Sequence, residues 1–138
     1  MATAQLVVDA DVVIDLLRES AVSVQTALAR LDCAITAIGL HELLATPALS
    51  AKQATTLNEL RQVMSVLQFD EPAAERSAEI WRSLRRRGLL VGLADILSAG
   101  ICLANDLPLL TRNVDHFNRL EGLKLVTPDG LQSHIYAA

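Results

Sequence analysis

A chain of 138 residues, 51% of them hydrophobic, can build one domain with a real core and is too short for two ordinary ones. A formal net charge of -4 excludes the global basic field that draws proteins onto nucleic acid or anionic lipid, so any polyanion has to be met by a local patch. Aromatics make up only 3% (Phe69, Trp81, Phe117 and Tyr136), which argues against a base-stacking platform.

The N-terminus lacks the basic segment of a secretory signal. Its apolar run is broken by acids well before the about 20 residues of a membrane span, so a soluble cytoplasmic protein is expected. Cys33 and Cys102 lie far apart in apolar surroundings without a C-x-x-C pairing, and both read as structural thiols in a reducing compartment.

Residues 5–8 are short, β-branched and apolar, as suits a strand buried on both faces of a parallel sheet, with Asp9 at its carboxyl end. Val12, Val13, Leu16 and Leu17 then repeat at helical spacing, and Asp11 is placed to cap that helix, with Asp15 on its solvated side. A second amphipathic helix is expected over residues 23–31 and a short strand over 33–35. The next helix begins at Thr36 or Gly39 and ends before Pro47.

Residues 50–66 have the periodicity of a surface helix, with Leu57, Leu60, Val63, Met64 and Leu67 on its stripe. Asp70, Glu71 and Pro72 form a helix start and Gly88 a stop, with Ala74, Ala78, Trp81 and Leu84 marking the buried side. Residues 93–104, LADILSAGICLA, are apolar almost all round and predict a deeply placed helix whose one charge is Asp95. Strands follow at about 107–111 and 123–127, with a turn or short helix over 114–120 between them. Strands alternating with helices predict an α/β fold, a parallel sheet of about four or five strands flanked by helices on both faces. Residues 127–138 read as a loose tail of a single domain spanning 1–138.

In open α/β sheets ligands sit beyond the carboxyl ends of the strands, where Asp9 and residues 111–113 fall. Asp95 and Glu42 can point into the same crevice. Carboxylates crowded there disfavour one another's ionisation unless protons or cations neutralise them. Hard oxygen donors of this kind select Mg²⁺ or Mn²⁺, and such an ion acidifies water and braces the charge developing on a phosphodiester.

Four blocks carry a resemblance: VVDADVVIDLL near the N-terminus, ITAIGLHELLA at 35–45, LADILSAGICLAND at 93–106 and LLTRNVDHF at 109–117. In this order they resemble the successive motifs of PIN-domain ribonucleases, among them the VapC-like toxins of toxin–antitoxin pairs, over roughly residues 5–127. The resemblance implies metal-dependent endonucleolytic cleavage of RNA, with Asp9, Glu42 and Asp95 binding the divalent metal and Asp11 supporting them. Asn113 stands where many members carry a fourth Asp, which leaves the last position open between Asn113 and Asp115. The resemblance also implies a dimer and an antitoxin protein that covers the site.

Other readings stand beside these. Glu42 can be an acid near the start of its helix, Asp95 a cap, and Asn113 and Asp115 ordinary turn residues. Arg112, next to the site, is a candidate for contacting substrate, and Thr111 for holding water or the scissile phosphate. Arg82, Arg85, Arg86 and Arg87 form either a phosphate-binding patch or a helix end that complements the dipole. His41, His116 and His134 show no metal-ligand spacing, and His116 reads as packing or surface. The D-x-D of Asp9 and Asp11 also resembles haloacid-dehalogenase-type phosphatases, with Asp9 as nucleophile, although Val12 and Val13 replace that family's Gly-Thr-type turn. A non-catalytic α/β protein-interaction module is the third alternative.

Overall fold

The computed structural model describes residues 4–19 and 32–131. Its centre is a five-stranded parallel sheet in the order β3-β2-β1-β4-β5, formed by β1 (Leu6–Val8), β2 (Cys33–Thr36), β3 (Ser65–Leu67), β4 (Leu109–Leu110) and β5 (Leu125–Val126). Helices accompany it: α1 (Ala10–Glu19), α2 (Ala37–Leu44), α3 (Ala51–Val63), α4 (Glu71–Arg86), α5 (Leu93–Ala104) and α6 (Val114–Phe117), with residues 128–131 also helical.

β1 lies in the middle with all three residues buried, so it can carry apolar side chains on both faces, and LVV does so. Leu6 and Val8 point into a core with Val12, Val13 and Leu16 of α1, Leu43 of α2 and Leu57 of α3. Val7 points the other way, into a core with Ile80 and Leu84 of α4, Ile96, Ala99 and Cys102 of α5, and Phe117 of α6. The alternation of one short strand thus assigns α1, α2 and α3 to one face and α4, α5 and α6 to the other.

The strand order has one functional consequence. The chain adds β2 and β3 outward on one side of β1, then returns to add β4 and β5 on the other, so the order reverses at β1. Val8 pairs with Leu110, which puts the carboxyl ends of β1 and β4 side by side at that reversal.

Caps define the helix boundaries. Thr36 accepts from the Gly39 amide at 2.9 Å and starts α2. Ser50 and Gln53 form a reciprocal capping box on α3, and Asp70 caps α4 with Pro72 in its first turn.

Three expectations need correction. The stripe expected through Leu67 breaks at Met64, where an edge strand, β3, takes over and pairs Thr36 with Leu67. Val63 is 78% exposed, so its place on the stripe was fortuitous. On α4 the buried positions are Ala73, Ser77, Ile80 and Leu84, one residue off the expected set except at Leu84. The face turns because α5 approaches so closely that a Cβ on Gly100 would lie 2.7 Å from Ser77 Cβ and 2.8 Å from the Ala73 carbonyl. Finally, the chain after Thr127 is packed and not loose as far as Leu131, which is fully buried. The helix expected over 23–31 and the rest of the tail lie outside the described residues.

Candidate acidic site at the carboxyl edge of the sheet

Asp9 follows β1 and is anchored from three sides. Its backbone N–H donates to the Leu110 carbonyl at 2.8 Å, its Oδ1 accepts from the Ala10 amide at 2.9 Å, and its Oδ2 accepts from the Thr111 hydroxyl at 2.7 Å. The Asp9 carbonyl also takes the first amides of α1, from Val12 and Val13, so Asp9 and not Asp11 starts this helix. That frees Asp11 from the capping role expected of it. One of its oxygens, Oδ1, is buried without a hydrogen-bond partner. Burial, then the charge of Asp9, pushes the Asp11 carboxyl up to about 6.

Glu42 and Asp95 come from the helices that follow β2 and precede β4. Glu42 lies beyond the first turn of α2, because the helix starts at Ala37, so the dipole does not account for it. Asp95 is in the first turn of α5, yet no side chain caps that helix. The buried hydroxyls of Thr36 and Ser98, 3.3 Å apart, tie the start of α2 to α5 and bring the two acids to one edge.

The charges of these acids act on one another. Glu42 is pushed up by desolvation and then by Asp95 and Asp11. Asp9 is pushed up by burial, against the lowering effect of Thr111, with Glu42 and Asp95 adding to the rise. Asp9, Asp11, Glu42 and Asp95 therefore share one electrostatic site drawn from three stretches of chain. Among the described residues no three His, Cys, Asp or Glu side chains close on one point tightly enough to hold a metal ion as they stand. The donors nonetheless fit a hard divalent cation, being carboxylate oxygens with one buried oxygen left unpartnered.

The segment after β4 tethers this edge. Thr111, fully buried, holds Asp9 and accepts from the Asn113 amide at 3.0 Å. Arg112 Nη1 pairs with Asp15 Oδ2 at 2.9 Å, so Asp15, on the partly exposed side of its helix, also carries an ion pair. Asn113 Nδ2 lies 2.9 Å from His116 Nδ1, which lies 3.3 Å from Asp95 Oδ2. His116, read from sequence as packing or surface, thus puts one ring nitrogen within reach of both, to accept from Asn113 in one tautomer or donate to Asp95 in the other; only the short turn of α6 creates the contact. Asp115 is exposed in that turn and is not among the charges raising Asp9, Asp11 or Glu42.

Arg85 and Arg86 occupy the exposed last turn of α4, and Arg85 lies over the Trp81 ring at 5.7 Å. Gly100 of α5 packs on Ala73 and Ser77 of α4. Arg87 is held differently, donating to the Arg119 carbonyl at 2.7 Å. Cys33 and Cys102 play no part at this edge: burial pushes their thiols up to about 11 and about 12, which leaves them protonated and inert. No helix among the described residues is long and apolar enough to cross a membrane.

A parallel α/β sheet with acids gathered where its strand order reverses describes a class of folds with a polar, cation-ready edge. The chain belongs to the PIN domain family, whose model matches residues 6–123. It is 34% identical over 76 residues to Ribonuclease VapC1 of Methanocaldococcus jannaschii, a match spanning 54% of this chain and 56% of that protein. Its fold is similar to a chain of DNA-bound VapBC from Salmonella typhimurium, with a TM-score of 0.82 at 21% identity, covering 91% of this chain and 99% of that one. It is also similar to VapBC-5 from Mycobacterium tuberculosis, a member of the VapBC family of toxin-antitoxin systems, with a TM-score of 0.65 at 26% identity, covering 91% and 98%.

Proposed function

We propose that this chain is a divalent-metal-dependent endoribonuclease, the toxin of a toxin–antitoxin pair. The observation that carries the reading is the mutual electrostatic raising of Asp9, Asp11 and Glu42, with Asp95 contributing, at the carboxyl edge of β1. Structure alone does not require such a cluster, since like charges held together oppose folding unless a cation or protons compensate them. The 34% identity to a protein named a ribonuclease supports the choice of RNA.

Asp9, Glu42 and Asp95 would hold Mg²⁺ or Mn²⁺, with Asp11 in support. When bound, the ion supplies Lewis acidity, lowering the pKa of water and balancing charge that develops on the phosphodiester. Thr111 aims Asp9 and opposes the rise that burial imposes on its carboxyl. Asn113 lies within reach of His116 Nδ1, which also neighbours Asp95, and it completes the acidic edge, a role for which its contacts favour it over the outward Asp115. Arg112 meets the phosphate at the edge, and Arg85 and Arg86 extend the cationic surface along the bound strand. The partners are RNA, an antitoxin protein and a second copy of the chain, acting in the cytoplasm as one nuclease domain.

The test is cleavage of a panel of folded RNAs by purified protein with Mn²⁺, beside a chelator control and Asp9→Asn. Cleavage that needs metal and is lost in Asp9→Asn supports the reading. Equal cleavage by both proteins, or none by either, overturns it.

A further inference from the structure

His116 offers one ring nitrogen to two side chains. Its Nδ1 lies 2.9 Å from Asn113 Nδ2 and 3.3 Å from Asp95 Oδ2. Asn113 immediately precedes α6, which carries His116, and Asp95 stands in the first turn of α5. In a neutral imidazole each nitrogen bears either a proton or a lone pair, so Nδ1 serves one neighbour at a time. Nδ1–H donates to the Asp95 carboxylate, whereas a bare Nδ1 accepts from the Asn113 amide. The state of Asp95 decides between them. A carboxylate with its full charge favours the proton on Nδ1, and a cation on that carboxylate disfavours it, because the positive end of the N–H then faces a positive ion. The Asn113 side chain makes no cap bond to α6, and it is the backbone N–H, not the amide group, that meets Thr111. The His116 side chain is 55% exposed, so water can carry a proton between its nitrogens.

We propose that His116 is a tautomeric switch set by the divalent cation: in the metal-free chain Nδ1–H holds Asp95, and with the cation on Asp95 the proton sits on Nε2 while Nδ1 accepts from Asn113. The inference rests on the reading of Asp95 as a metal ligand and deepens it. One water takes the proton from Nδ1 and another delivers one to Nε2, so the charge of the ring is unchanged. Asn113 is then a positioning residue that acts through His116: by engaging the bare Nδ1 it draws the ring away from Asp95 and leaves Oδ2 to the ion. A carboxylate at position 113 has no hydrogen to give that nitrogen, which accounts for an amide there.

The experiment records ¹⁵N–¹H correlation spectra of the full chain labelled in its three histidines, in chelator and in saturating Mg²⁺, with His116→Ala to assign the signals of His116. A protonated ring nitrogen resonates upfield of a bare one. Wild type should show the His116 proton on Nδ1 in chelator and on Nε2 in Mg²⁺. Calorimetry with Mn²⁺ measures the coupling. Asn113→Ala should weaken Mn²⁺ binding roughly 2- to 10-fold, the scale of one hydrogen bond, because a contact favoured by the ion must favour the ion in return. In the His116→Ala background the same change should add nothing, whereas a purely structural Asn113 would cost as much in both.

Ions that bind wild type, beside a His116 proton that does not move, a ring protonated on both nitrogens in either state, or an Asn113→Ala loss retained without His116, overturn the switch alone. If neither Mg²⁺ nor Mn²⁺ binds wild type, the metal-dependent reading falls, and the switch with it.

Discussion

The Thr111 hydroxyl donates a 2.7 Å hydrogen bond to Oδ2 of Asp9, joining residues 102 positions apart at the carboxyl ends of adjacent parallel strands. The bond opposes the rise that burial imposes on the Asp9 carboxyl. Thr111→Val keeps the shape and removes the donor, and the Asn113 amide loses its acceptor as well. The acid limb of the pH–rate profile for cleavage should move to higher pH, because Asp9 then ionises later. Urea unfolding should show a loss of about 1–3 kcal/mol, the cost of leaving buried polar groups unpaired.

Asp9→Asn and Asp95→Asn remove charge without changing volume. Each should reduce metal-dependent cleavage by at least about 100-fold, the scale expected when a group acting on the developing charge is lost. Circular dichroism should remain that of the wild type. Neither variant should be less stable at pH 7.5 by more than about 1 kcal/mol, since the lost hydrogen bonding is offset by relief of repulsion.

Stability should depend on pH with a defined sign. Asp11 titrates at about 6 in the folded chain against 3.8 for the free group, and Asp9 and Glu42 move the same way. Folding therefore favours the protonated carboxyls. That contribution is complete below pH 4, is lost as pH climbs through 6, and stays lost above it. For half-exposed Asp11, discounted for solvent screening, the effect is on the order of 1 kcal/mol, or roughly 3–5 °C in Tm. The melting temperature in chelator should be higher at pH 5 than at pH 7.5, and Asp11→Asn should flatten the difference.

Mn²⁺ should reverse that trend. A cation that binds the folded chain stabilises it in proportion to its occupancy, and it competes with protons for the same oxygens. Millimolar Mn²⁺ should raise Tm at pH 7.5 by several degrees and much less at pH 5. An equal rise at both values, or one retained in Asp9→Asn, would place the ion elsewhere.

Gly100→Ala tests the contact that carries Asp95. The added Cβ would lie within 2.9 Å of Ser77 N and closer still to two other atoms, so α4 and α5 must separate. Overpacking of this kind costs about 1–3 kcal/mol and should shift α5 enough to impair cleavage. Gly92→Ala, where a Cβ meets nothing within 4 Å, is the control and should change stability far less.

Much of this fold was legible because local chemistry decides it. LVV before Asp9 can only be a doubly buried strand, and Asp70 with Pro72 starts α4 where the caps predict. β3 was not legible, because three residues at the end of a helix continue its 3.6-residue stripe, and only pairing with β2 makes them a strand. The rotated face of α4 has a similar origin: its partner is a glycine on another helix.

The amino-acid order by itself determined which carboxylates exist and that Asp9 ends a buried strand. It also set the succession of strands and helices, since capping, periodicity and β-branching act within a few residues. Only the tertiary structure decided that Thr111 holds Asp9, that Arg112 pairs with Asp15, and that His116 reaches Asp95. Those contacts depend on β4 lying against β1, a neighbour chosen by how the whole sheet buries its two faces, and no short stretch of sequence encodes that choice.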